Sequence, residues 1–241
     1  MKKSIAVAVI GLAVGLGLSS VAHADDRAWP WSPIGLGLAA PIQLPFMSSD
    51  VYGLRFGGFL GYNRSMYGID VGVVEMAEED MAGLQAALFT WTDGDAYGVQ
   101  LGACANVING RARLLQFGAV NYDRADTKGV QFGLVNRDTE FAGVQFAGIV
   151  NWNDTASYGV QFGLVNANQD EFSGASLAGL VNYSKTSTGL QLGLLNVAYE
   201  ATGFQLGLIN ACDTMRGVQI GLVNLIAEST LPIMVIANAS F

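Results

Sequence analysis

Histidine is almost absent from this chain of 241 residues: the single copy, His23, lies near the N-terminus. The body of the protein therefore has no imidazole for general-base catalysis or metal binding, which removes most hydrolase mechanisms. Cysteine is nearly as scarce, and Cys104 and Cys212 are far apart with no metal-ligand spacing. An oxidising compartment would permit a disulfide between them, but two unpaired thiols are the simpler reading. Basic residues are few, 12 against 20 acidic ones, for a net charge of −8. That balance speaks against nucleic acid as a partner, because phosphates require basic patches. Nucleotide fingerprints are missing as well: there is no Walker loop and no nucleophile elbow. Gly35-Leu-Gly37 lacks the third glycine and the strand-helix setting of a dinucleotide site. Carboxylate chemistry is what remains for an enzyme, through Asp70 with Glu75 or the Glu78-Glu79-Asp80 cluster, and that cluster reads as a solvated turn. No enzymatic activity, cofactor or metal site is expected.

The N-terminus has the layout of a secretory signal peptide over residues 1–24. Met1-Lys2-Lys3 is basic, Ile5 to Leu18 is apolar, and Ala22-His23-Ala24 is a small-x-small cleavage site. The apolar run is short for a membrane span, so removal is expected rather than anchoring, and no nearby cysteine offers a lipid attachment point. The mature chain then comprises a Pro-rich segment, 25–51, and a repeat domain, 52–241.

Proline and charge are both scarce in that domain, and a repeat takes their place. From Tyr52 to Asn224 a motif recurs every fourteen to sixteen residues, clearest as Gly-Val-Gln-Phe-Gly-Leu-Val-Asn at Gly129 to Asn136 and again at Gly159 to Asn166. Aligning its twelve copies gives one polar column: Arg55, Asp70, Gln85, Gln100, Gln116, Gln131, Gln145, Gln161, Ser176, Gln191, Gln205 and Gln219. Its neighbours on either side are apolar, as Val130 and Phe132 are around Gln131. An apolar-polar-apolar-small alternation has period two, which places Val130, Phe132 and Leu134 on one face of a strand and Gln131 with Gly133 on the other. Between copies lie polar stretches such as Asn109-Gly110, Asp123-Arg-Ala-Asp126, Asn153-Asp-Thr-Ala156 and Ser184-Lys-Thr-Ser187, which have turn chemistry.

Such a repeat fits an antiparallel transmembrane β-barrel or a parallel β-solenoid. The barrel is favoured. A strand of about ten residues plus a tight turn uses up each repeat and suffices to cross an outer membrane, giving about twelve to fourteen strands. A solenoid coil needs a second strand, and the stretches at Asp138-Thr-Glu140 or Asn153-Asp-Thr-Ala156 show no inward apolar run for it. Extra residues at Ala147-Gly148 and Ala178-Gly179 suggest a thirty-residue hairpin unit with a bulge in one strand. Aromatics flank the turns as an interfacial girdle would, Tyr52, Tyr67, Tyr97 and Tyr158 entering strands and Trp91, Tyr122, Trp152 and Tyr183 leaving them. Trp91 and Tyr122 nevertheless fall on the parity of the Gln face. The solenoid alternative draws on the Asn that closes most copies, Asn121, Asn136, Asn166, Asn196, Asn210 and Asn224, because identical Asn stacked in register is a solenoid habit.

The Gly-x-Gln-x-Gly-x-x-Asn repeats, the opening Pro41-Ile-Gln-Leu-Pro45 and the closing Asn238-Ala-Ser-Phe241 resemble an uncharacterised bacterial surface-repeat family first noted in leptospires. The resemblance covers nearly the whole mature chain and implies an outer-membrane or cell-surface location, with no known activity or site. Separately, the alternating Ile233, Val235, Ala237, Ala239 and Phe241 resemble the closing strand of outer-membrane barrels, which implies outer-membrane assembly machinery and lipid as partners; Ala239 stands where that family has a second aromatic. On the barrel reading the polar column lines the interior, Val, Phe and Leu columns face lipid, and passive passage follows. Arg55 and Asp70 could there form an ion pair or a polar constriction, and Phe146→Arg should impair insertion more than Gln145→Arg. The alternative function is a non-enzymatic surface or periplasmic scaffold or adhesion protein.

Overall fold

The computed structural model describes residues 30–39, 42–45 and 47–240. The signal-peptide expectation and the terminal Phe241 lie outside the described residues. The strands are β1 (Trp31–Ala39), β2 (Ile42–Leu44), β3 (Asp50–Asn63), β4 (Met66–Val71), β5 (Val74–Ala77) and β6 (Met81–Thr92), then β7 (Ala96–Ile108), β8 (Ala112–Asn153), β9 (Ser157–Leu192), β10 (Leu195–Leu206), β11 (Ile209–Ile226) and β12 (Ile233–Ser240). They form one sheet in the order β12-β11-β10-β9-β8-β7-β6-β4-β3-β1-β2, with β5 between β3 and β6.

Successive copies of the repeat pair parallel and in register. Gly143, Gln145 and Asn151 lie beside Gly159, Gln161 and Asn166, and Asn182, Gly189 and Gln191 beside Asn196, Gly203 and Gln205. The same direction holds from β3 through β11. The chain is therefore a parallel β-solenoid, and the antiparallel transmembrane barrel is overturned: every copy points the same way, coil upon coil. The Phe117, Phe132, Phe146 and Phe162 rings stack with centroids 4.8 Å apart, the spacing of neighbouring strands and so the rise of one coil.

The second wall that seemed missing is made by the back half of each motif. In the coil from Gly129, Gln131 points inward, Leu134 sits exposed at a corner, and Asn136 and Asp138 point inward again. Passing the corner shifts the inward parity by one residue, since 131 is odd and 136 and 138 are even. The shift explains why Trp91 and Tyr122 fall on the parity of the Gln column and are nevertheless not buried. The extra residues at Ala147-Gly148 and Ala178-Gly179 belong to the corner rather than to a hairpin: the register against β9 jumps between Phe146 and Val150.

Four inward columns fill each coil. The first is mostly apolar or small, including Val51, Met66, Met81, Ala96, Phe141 and Phe172; the second is the Gln column. The third contains Asn106 and its in-register equivalents as far as Asn224, and the fourth includes Ile108, Asp123, Asp138, Asn153 and Asn168. Ahead of the Gln column the backbone takes φ between +114° and +145° at eleven glycines. A Cβ at Gly143 would overlap the carbonyl oxygen of Gly129 in the coil before it, so backbone conformation and close approach both demand glycine there.

The two ends are covered by strands of opposite sense. β2 pairs antiparallel with β1, and β12 pairs antiparallel with β11. The segment that resembles a barrel's closing strand is the terminal edge of the solenoid.

Candidate functional site

The eleven candidates of the polar column, Arg55, Asp70, Gln85, Gln100, Gln116, Gln131, Gln145, Gln161, Gln191, Gln205 and Gln219, are all buried. They do not line a lumen, because their side chains bond to one another. From Gln100 to Gln161 each Gln Nε2 donates to the Gln Oε1 of the preceding coil, as Gln131 to Gln116 at 2.8 Å, Gln145 to Gln131 at 2.9 Å and Gln161 to Gln145 at 2.9 Å. Ser176 interrupts the ladder and donates instead to Asn182 at 2.6 Å; the ladder resumes with Gln205 to Gln191.

The Asn ladder runs the opposite way. Each Nδ2 donates to the Oδ1 of the following coil, from Asn106 to Asn121 at 2.7 Å through Asn151 to Asn166 at 2.8 Å to Asn210 to Asn224 at 2.8 Å. The second proton of the same amide goes to a main-chain carbonyl just before the next coil's corner, as Asn121 to Phe132 at 3.0 Å and Asn151 to Phe162 at 2.9 Å. Such a carbonyl accepts twice: Leu206 O takes the Gly193 N–H at 3.1 Å as well as the Asn196 amide at 2.9 Å, and Ile220 O takes the Gly207 N–H at 3.0 Å and the Asn210 amide at 2.9 Å. The Asn of one coil thus ties its side chain both to the Asn of the next coil and to the main chain at that coil's bend.

Two clusters of charge are sealed inside. Arg55 donates through Nε and Nη2 to both oxygens of Asp70 at 2.7 Å, and also to Glu75. Gln85 closes the group by donating to Asp70 at 3.1 Å. The suspected Arg55–Asp70 contact is therefore a bidentate ion pair; with no lumen it constricts nothing. Two carboxylates share one guanidinium there, and burial, with Asp70 beside it, pushes the Glu75 carboxyl up to about 8. Glu78 and Glu79 stand apart from it, exposed on a turn.

Asp123 and Asp138 occupy adjacent coils of the fourth column, and both are fully buried. Gln131 bridges them, donating to each at 2.9 Å; Gln116 donates to Asp123 at 3.0 Å and Gln145 to Asp138 at 2.6 Å. Burial raises the Asp123 carboxyl to about 6 and, with the charge of Asp123 next to it, pushes Asp138 well above its ordinary range. Like charges this close disfavour joint ionisation, so the pair releases its protons less readily than solvated aspartates do. Sequence reading assigned Asp123 to a turn. The available signal is its column, whose next three coils carry Asp138, Asn153 and Asn168.

Cys104 is exposed at a corner, Cys212 is buried, and both are free thiols. Among the described residues no group of His, Cys, Asp and Glu is placed to hold a metal ion. No helix among them is long and apolar enough to cross a membrane. Comparison with family models, with curated proteins and with solved structures returned no match.

Proposed function

We propose that the chain is a non-enzymatic β-solenoid scaffold of the bacterial envelope, exported by residues 1–24 and presented at the cell surface. The observation that carries this reading is the use of the interior: the buried amides are spent on one another and on main-chain carbonyls, along the axis of the stack. Such an interior builds length and rigidity and aims no polar group at a substrate. In a repeat stack each coil contacts only its neighbours, so stability is close to a sum over coils and their interfaces. The resemblance to the leptospiral surface-repeat family supports the location.

The test is removal of one whole coil, residues 159–173, from the full-length gene, combined with fractionation of the producing cells. A scaffold keeps its β-structure, becomes one coil shorter and still reaches the envelope with its leader removed near Asp25. Retention of the intact protein in the cytoplasm, or global unfolding of the shortened one, would count against the proposal.

A further inference from the structure

The outside of the solenoid is divided lengthwise. On the arc that runs from just after the glycine column, around the corner, to the Asn column, no described residue carries an outward charge. The charged residues within it, Arg55, Asp70 and Glu75, point inward and are buried. The corner itself is a ridge of aliphatic side chains: Leu134 is 52 % exposed and Leu222 62 %, with Ile149, Leu164, Leu180 and Leu208 between them. The stacked Phe ladder flanks the ridge on one face, and the Val135, Val150 and Val165 column on the other. At a strand spacing of 4.8 Å the ridge from Leu134 to Leu222 is about 30 Å long, a continuous apolar edge where a soluble monomer usually exposes its apolar side chains singly. Charge collects at the opposite edge, where Arg137, Glu140, Asp154, Asp170, Lys185 and Glu200 lie.

Between the two zones lie aromatic and basic columns. On one face Tyr52, Tyr67, Ala82, Tyr97 and Arg113 follow one another in register, with the Tyr52 and Tyr67 rings stacked; on the other stand Trp91, Tyr122, Trp152 and Tyr183. The polar ends of several of these rings turn toward the charged edge. Trp91 Nε1 donates to Asp93 at 2.8 Å, Trp152 Nε1 to Asp154 at 2.7 Å, and Tyr97 Oη to Asp95 at 3.3 Å. Rings that keep their apolar bodies on one side and their N–H or O–H on the other are the arrangement found where protein crosses from hydrocarbon to headgroup.

We infer that the aliphatic ridge inserts into a lipid bilayer, with the solenoid axis lying in the membrane plane, the Trp and Tyr columns at headgroup level and the charged edge in water. The apolar arc continues onto both faces of a thin ridge, so one flat partner could cover only half of it, whereas a fluid surrounds it. No strand crosses the membrane in this placement; the whole coil stack lies on it in the manner of an interfacial amphipathic element. The inference deepens the scaffold reading by naming the surface that the scaffold is held to.

Cys104, exposed at the corner while Cys212 is buried, is a built-in reporter position. The mature chain, labelled there with an environment-sensitive fluorophore, is mixed with vesicles of phosphatidylethanolamine and phosphatidylglycerol carrying brominated acyl chains. The expected result is a blue shift and quenching on vesicle addition, while a label moved to the charged edge (Cys104→Ser with Thr155→Cys) shows neither. A variant with Ile149→Lys, Leu164→Lys and Leu180→Lys should lose at least tenfold in vesicle affinity with an unchanged circular dichroism spectrum, since these side chains point outward. A corner label that is already blue-shifted without lipid, in a protein that sediments as a dimer and ignores vesicles, would assign the ridge to a second copy and overturn the inference. Equal quenching at both edges, or unchanged uptake by the triple-Lys variant, would also overturn it. Because vesicle uptake is read on purified protein, such failure leaves export and coil deletion, and with them the scaffold reading, standing.

Discussion

In an Asp138→Asn variant the stacked carboxyl pair becomes a single carboxyl beside an amide, as the same column already has at Asn153, whose Nδ2 donates to Asn168 at 3.0 Å. Both carboxyls hold their proton more tightly in the folded chain than in the unfolded one, where an aspartate titrates near 3.8. The sign follows from linkage: their favourable contribution is complete below pH 4 and is lost as pH rises through about 6 and beyond. Each pH unit between the unfolded and folded values removes up to about 1.4 kcal/mol per raised carboxyl. Between pH 4.5 and 6.5 the variant should therefore gain about 2 kcal/mol on the wild type, somewhat under the two-unit maximum, while a weakened hydrogen bond to Gln145 lowers it equally at both pH values and drops out. For a domain of this size that is a rise in relative Tm of about 4–8 °C. Thermal melts of both proteins by circular dichroism at the two pH values measure it. A Tm difference that is the same at pH 4.5 and 6.5 would refute the claim that this pair is protonated on folding.

Asn151→Ala should cost about 2–4 kcal/mol in chemical denaturation, because it breaks the ladder on both sides and takes a partner from the buried Asn136 amide and from the Asn166 side-chain oxygen together. Gly143→Ala combines a φ of +145° with overlap on the neighbouring coil, so its melt should fall by more than that of an Ala placed at Gly148, where φ is not positive and the nearest atom is the flexible end of Leu134. The expectation for a membrane barrel inverts in the solenoid: Gln145→Arg puts a larger, charged side chain into the packed interior and breaks the amide bonds to Gln131 and Gln161, so it should lower folded yield, whereas Phe146→Arg points outward, should keep the fold and should weaken vesicle uptake. Soluble yield and β-content measure the first, and flotation with vesicles the second.

The repeat, its columns and its period-two alternation were legible in the amino-acid sequence, and so was the inward direction of the Gln column. The parallel sense of neighbouring copies was not. The bend at Gly133-Leu134-Val135 contains none of the Asn, Asp or Pro that mark a turn, so the motif reads as one continuous strand. The side-chain bond that reaches the corner comes from Asn121, one coil away, whose amide donates to the Phe132 carbonyl. Such a bond is invisible to any window that stays within a repeat. The recurring Asn was the signal, and it pointed to the solenoid. The burial of Asp123 was hidden for a related reason: acidic residues beside Arg124 have turn composition, and only comparison with the next three coils shows that the position faces inward.

The opposed senses of the two amide ladders bear on how long such a protein can grow. Glutamine N–H groups are aimed toward lower-numbered coils and asparagine N–H groups toward higher-numbered ones. Had both ladders been polarised alike, every added coil would have enlarged a side-chain field along the axis and concentrated partial charge at the two ends. With the ladders opposed, the fields cancel coil by coil, and duplication of one unit can extend the rod without an accumulating electrostatic penalty.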